Sequence, residues 1–195
     1  MVRMGINRAE VGQRALLEKS SFSNEERCIF LSHASKDKEA VREIGNYIMN
    51  SGIDIYLDEN DIDLQTAAEA GNHNEVTSCI EKGINKSTDI FCIVSEETKK
   101  SWWVPYEVGY GKKAKTNLYT FLLRDVTHIP SYLKICGIIK DRWDLNSVLG
   151  DLSKGELLKE SSTFDYNYNQ RAGSIVNYDA ANHPLNEYVR EIRHD

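Results

Sequence analysis

Cys28-Ile29-Phe30-Leu31-Ser32-His33-Ala34-Ser35-Lys36-Asp37 is the stretch on which the fold turns. Its first four residues are strand formers with no polar face, as a strand in the middle of a parallel sheet requires. The run stops abruptly at Ser32-His33-Ala34-Ser35. Ala40, Val41, Ile44, Tyr47 and Ile48 then recur at helical spacing up to Ser51-Gly52, which predicts a helix over residues 37–50. A buried strand, a tight polar loop and a helix open a βαβ unit.

Downstream the unit repeats. Ile53-Asp54-Ile55-Tyr56-Leu57 reads as a second strand, 75–84 as a helix, and Asp89-Ile90-Phe91-Cys92-Ile93-Val94 as a third strand. Ser101 opens a helix through Trp103, Glu107 and Tyr110, and Leu118-Tyr119-Thr120-Phe121-Leu122-Leu123 forms a fourth strand. Past Pro130 the pattern weakens to a short helix over 131–136, an edge strand at Ile138-Ile139 and a helix within 145–158. Such alternation predicts an α/β protein with a doubly wound parallel sheet, helices on both faces, and ligands beyond the carboxyl ends of the strands. Residues 58–74 are polar, acidic and weakly patterned, and read as a long connection serving as a mobile lid, an assembly surface or a plain solvated loop.

Toward the ends, residues 1–26 read as an N-terminal arm with a short helix over 9–19, residues 27–150 as the domain, and 151–195 as a C-terminal extension. Within that extension 161–182 read as irregular, and Pro184 suits the first turn of a last helix through Ile192. A chain of 195 residues, 41% hydrophobic, buries one sizeable core. Its net charge of -6 argues against a nucleic-acid or acidic-membrane surface. No window approaches the roughly 18 apolar residues of a membrane span, so a cytoplasmic protein is expected. Cys28, Cys79, Cys92 and Cys136 lack disulfide or zinc spacing and read as buried thiols.

Three segments would meet at the carboxyl edge of the sheet. In the first, helix-start amides with the Ser32 and Ser35 hydroxyls and Lys36 or Lys38 could receive a phosphate, and His33 could touch a ribose or a base. Read structurally, Ser35 or Asp37 caps a helix and His33 is a satisfied strand-end residue. GxGxxG and GxxxxGK[ST] are absent, so any dinucleotide is held outside the usual Rossmann and P-loop manner. In the second segment, Pro105 must lie near a helix start, which puts Trp103 and Glu107 one turn apart on one face. An aromatic plate beside a carboxylate suits a pyridinium ring and its sugar, and an ionised Glu107 would stabilise the sugar cation left by nicotinamide. Alternatively the indoles are core and Glu107 is solvated. The third segment holds Asp58, Glu59, Asp61 and Asp63 and lacks the glycine and closing glutamate of a calcium loop, so no metal is expected.

In their order these segments resemble the bacterial TIR domain family. The 28–37 stretch is similar to the family's first strand and helix start, Gly52-Ile53-Asp54-Ile55-Tyr56-Leu57-Asp58 to its second strand and variable loop, and Lys86 to Ser95 to its third strand. Trp103-Val104-Pro105-Tyr106-Glu107 resembles the helix with the catalytic glutamate, and Ile129-Pro130-Ser131-Tyr132-Leu133 a segment after the fourth strand. The resemblance covers residues 27–145 and implies a flavodoxin-like fold and cleavage of NAD, a substrate rather than a cofactor, with Glu107 catalytic. It implies substrate contacts from Ser32, His33, Ser35, Lys36, Asp58, Trp103 and Tyr106. A stand-alone organisation similar to the TIR proteins of Thoeris antiphage systems implies an ADP-ribose-derived signal, linear, cyclic or transferred to an acceptor, read by a separate effector, and self-association through residues 58–74. Two rivals stay open: a non-catalytic TIR interaction module, and an enzyme like a nucleoside deoxyribosyltransferase.

Overall fold

β1, Cys28–Ser32, is buried along its whole length, and this central strand is flanked by two others in a five-stranded sheet. The computed structural model describes residues 4–10, 26–160 and 182–190, with side chains described up to Ser153 in the last helix. β2 is Asp54–Tyr56, β3 Asp89–Val94, β4 Asn117–Leu122 and β5 Gly137–Ile139; all pair in parallel, in the order β2-β1-β3-β4-β5. That order reverses direction between β1 and β3, which opens a crevice beyond their carboxyl ends.

Helices cover both faces. α1, Lys38–Asn50, lays Val41, Ile44, Tyr47 and Ile48 against Ile29, Leu31, Phe91 and Ile93, and α5, Arg142–Glu160, adds Leu145, Leu149 and Leu152 to the same core. On the other face α3, His73–Asn85, packs Val76, Cys79, Ile80 and Ile84 against Cys28, Phe30 and Ile90. α4, Trp103–Lys113, sets Val104 and Val108 over Cys92, Val94 and Leu122. Strand alternation therefore turns Cys28, Phe30 and Ser32 toward the α3/α4 side. Pairing aligns Ser32 with Cys92, and Cys92 with Thr120, in a row across β1, β3 and β4 on that side.

The acidic segment after β2 departs from its expected form. It contains a 3-10 turn, Asp58–Asn60, and α2, Ile62–Glu69, ahead of α3. Asp61 caps α2 by accepting from the amides of Asp63 at 3.0 Å and Leu64 at 3.1 Å, while Leu64 and Ala67 bury one face. The short apolar stripe of two residues hid this helix, and the Tyr56 hydroxyl, which donates to Asp61, fixes where it begins.

Three smaller expectations also change. The turn after Pro130 is a 3-10 segment, Ser131–Leu133, whose Leu133 carbonyl accepts both from the Cys136 amide at 3.2 Å and from Thr120 Oγ1 at 2.8 Å. Residues 184–188 form a single turn: the carbonyls of Tyr188 and Arg190 accept from the amides of Arg124 and Arg142. Cys136 is half-buried, whereas Cys28, Cys79 and Cys92 are buried free thiols. Most of the helix expected over 9–19, and the end of that expected through Ile192, lie outside the described residues.

Residues 4–10 lie along the outer edge of β2. Ile6 O accepts from the Ile55 amide at 2.9 Å and the Arg8 amide donates to Ile55 O at 2.8 Å, covering edge groups that would otherwise offer a pairing template. Gly5 is required there, since a Cβ would lie 2.0 Å from Ile53 O.

Candidate functional site

Ser32 ends β1, and its side chain rises under α4. Pro105 occupies the third position of that helix, where its missing amide costs no helical bond. The helix then presents Val104, Glu107, Val108 and Gly111 to the sheet. Gly111 permits the close approach, because a Cβ there would meet Ile90 Cδ1 at 2.2 Å. Glu107 is thereby only 2% exposed, and Ser32 Oγ donates to its Oε2 at 2.5 Å.

A second carboxyl group belongs to the same end of the sheet. His33, the next residue after Ser32, donates from Nδ1 to Leu31 O at 3.0 Å, which assigns its ring proton, and the same nitrogen is 3.9 Å from Asp58 Oδ1. Asp58 follows β2, the neighbour of β1, and its side chain is 25% exposed. Its turn is pinned to α1 by Arg42, whose Nε and Nη2 donate to Glu59 at 2.6 and 3.1 Å, with Lys38 at 3.9 Å.

These surroundings set the charge state. Burial first, and the Asp58 charge second, push the Glu107 carboxyl up to about 8, with the Ser32 hydrogen bond opposing. Asp58 is raised as well, by burial, while His33 and Lys38 pull it back. Being the more exposed and having a basic neighbour, Asp58 ionises first. With its carboxyl pushed up to about 8, Glu107 rests as a carboxylic acid near neutral pH, whereas an ionised Glu107 is expected from the residues alone.

Two further residues share this environment. Cys92, beside Ser32 in the sheet, has its thiol pushed up by burial and by the Glu107 charge. Tyr132 is pushed up to about 12 by burial, then by the charges of Cys92 and Glu107. Neither was singled out for chemistry in the sequence, since Cys92 sits in an apolar run and Tyr132 in a short polar turn. Strand parity would have put Cys92 on the Ser32 face; nothing local marked Tyr132.

Other residues of the expected site are placed differently. Trp103, one turn before Glu107, is 39% exposed, with its ring edge-on to Tyr106 at 6.1 Å. Tyr106 is engaged by α3, its hydroxyl donating to Glu81 Oε1 at 2.5 Å and its ring stacking on Tyr110. Lys36 is 75% exposed and pairs with Glu97 at 3.1 Å. Ser35 is exposed in a 3-10 turn, and Asp37 accepts from Ser95 Oγ at 2.6 Å rather than capping α1. The structure thus brings Ser32, His33, Asp58 and Glu107 together, keeps Trp103 on the adjoining turn, and gives Ser35, Lys36 and Tyr106 other surroundings.

Among known proteins, residues 29–147 match the family model described as the TIR domain. Over 91 residues the chain is 33% identical to the probable 2' cyclic ADP-D-ribose synthase TcpO of Methanobrevibacter olleyae, a match covering 46% of this chain and 24% of that protein. Over 82 residues it is 28% identical to the probable 3' cyclic ADP-D-ribose synthase ThsB' of Bacillus cereus (strain MSX-D12), covering 42% of each. The matched region spans less than half the length of either relative.

Proposed function

The chain belongs to the TIR domain family, and from that premise we propose that it cleaves NAD at the nicotinamide–ribose bond and closes the remaining ADP-ribose into a ring. The observation that carries this reading is the buried Ser32–Glu107 pair at the carboxyl end of β1. The names of both relatives, each a probable cyclic ADP-ribose synthase, support the cyclic product.

The chemistry follows from the charges. NAD brings a pyridinium cation to a carboxyl group held neutral mainly by burial. An adjacent positive charge favours the ionised form, so binding expels the Glu107 proton and creates the carboxylate that the reaction needs. As the bond between the ribose C1 and the ring nitrogen breaks, its electron pair leaves with neutral nicotinamide and positive charge moves to the sugar. A fixed, buried carboxylate stabilises that charge strongly. Ser32 orients Glu107, and Trp103 offers an aromatic face for the ring.

Among the described residues no helix is long and apolar enough to cross a membrane. The proposed setting is the cytoplasm, where a diffusible product reaches a separate effector in antiphage defence. Assembly through the 58–74 segment would bring copies of the chain together.

Chromatography of NAD and nicotinamide at high protein concentration tests the reading. Wild-type protein should release nicotinamide, and Glu107→Gln should lower that rate by about 10²–10³. Undiminished release by the variant overturns the role of Glu107. Release of a base from deoxynucleosides but not from NAD would favour a deoxyribosyltransferase. Silence of the assembled wild type toward both would favour an interaction module.

A further inference from the structure

Two carboxyl groups in unlike surroundings stand at the carboxyl end of β1, and only one is needed to expel nicotinamide. Glu107 is sealed under α4 and bound by Ser32. Asp58 lies one strand over, beside His33 Nδ1 at 3.9 Å, with its side chain 25% exposed. The turn that carries it is held by the two Arg42–Glu59 hydrogen bonds, so its position is set by α1 and β2 rather than by a free loop.

Resting on the NAD-cleavage reading above, we propose that Asp58 is the general base of ring closure: it takes the proton from the ribose hydroxyl that attacks the sugar cation, and so decides between cyclic and linear product.

The balance of the step requires such a group. When nicotinamide leaves, its electron pair goes with it and no proton is needed. When a hydroxyl of the adenosine ribose then bonds to C1 of the cationic sugar, the attacking oxygen becomes positive and must lose its proton. Glu107 is poorly suited to receive it, because its negative charge is what steadies the cation. Asp58 is ionised before Glu107, faces the neighbouring strand end, and can hand its proton to water. Water attacking the same cation passes its proton to bulk solvent through other waters. Loss of Asp58 therefore penalises the enclosed hydroxyl far more than water.

His33 acts as a positioning residue. Its Nδ1–H is held by Leu31 O and turned toward Asp58 Oδ1, which favours the carboxylate form. The titratable and charged groups that face Asp58 are His33, Lys38, Glu59 and Glu107.

The experiment incubates the full chain with NAD and quantifies nicotinamide, cyclic ADP-ribose and linear ADP-ribose by liquid chromatography and mass spectrometry, across pH. In Asp58→Asn the ratio of cyclic to linear product, compared at equal nicotinamide release, should fall at least tenfold, and Asp58→Glu should recover part of it. In the wild type that ratio should rise with pH as Asp58 ionises; in Asp58→Asn it should be flat. An unchanged ratio in Asp58→Asn, or a pH-independent wild-type ratio, overturns the proposal. The wild-type profile decides the matter even if the variant fails to fold. Nicotinamide release with only linear product sinks this inference and leaves NAD cleavage standing, whereas absence of nicotinamide sinks both.

Discussion

Glu107 concentrates the conflict between stability and chemistry in one side chain. Its carboxyl titrates at about 8 in the folded protein against an ordinary value of 4.5, so between those values the folded state binds a proton that the unfolded chain lacks. Stability must fall as pH rises through that window, and the cost is complete above about 8. Glu107→Gln removes the titration. Its melting temperature should match wild type near pH 5 and exceed it by several degrees near pH 9, as calorimetry would show. In the active protein the same titration should appear in kcat/KM, which rises with pH through about 8, whereas kcat levels off at lower pH once bound pyridinium has displaced the proton. Ser32→Ala deletes a hydrogen bond that favours the charged form. The kcat/KM profile should shift to still higher pH, at about 1–3 kcal/mol of lost stabilisation of the carboxylate.

The segment after β2 shows how an element is specified by its ends. α2 carries few apolar residues, and what holds it is the Asp61 cap together with the Tyr56 hydroxyl. Asp61→Ala should cost about 1 kcal/mol for the cap, more for the lost tyrosine partner, and should speed amide exchange at Asp63 and Leu64. The same tyrosine explains Gly83 in α3: a Cβ there would lie 2.5 Å from the Tyr56 ring, which stacks on Phe30. Gly83→Ala should therefore destabilise by about 1–3 kcal/mol in chemical denaturation, although alanine is the better helix former. Helical spacing made α1, α3 and α4 legible, because each buries several residues at that period. α2 was not legible, because two buried positions define no period.

Across the whole molecule, residues far apart in sequence close the sheet's outer edge. Arg8 binds Asp54 at 2.9 Å and reaches the carbonyls of Lys86 and Glu26, joining the N-terminal residues to the amino ends of β2, β1 and β3. Asp54 is fully buried and also accepts from the Ile6 amide. Arg8→Ala should lower stability by about 3 kcal/mol, the toll of breaking a buried pair from one side. Hydrogen exchange should rise at Ile55, whose amide donates to Ile6 O. Exchange at Ile55 unaltered by the substitution would show that the arm docks without Arg8.

The residues alone determined the alternation of strands and helices, the burial of β1 and β3, and the one-turn spacing of Trp103 and Glu107, because these are periodic properties of a short stretch of chain. Only the tertiary structure decided that Glu107 lies beside Ser32, that Asp58 and Cys92 share its surroundings, and that Lys36 and Tyr106 pair elsewhere. Periodicity reports which side of an element faces the core. The protonation of a carboxyl group depends on how deeply it is buried and on which charges arrive from neighbouring strands, and those are set by the order β2-β1-β3.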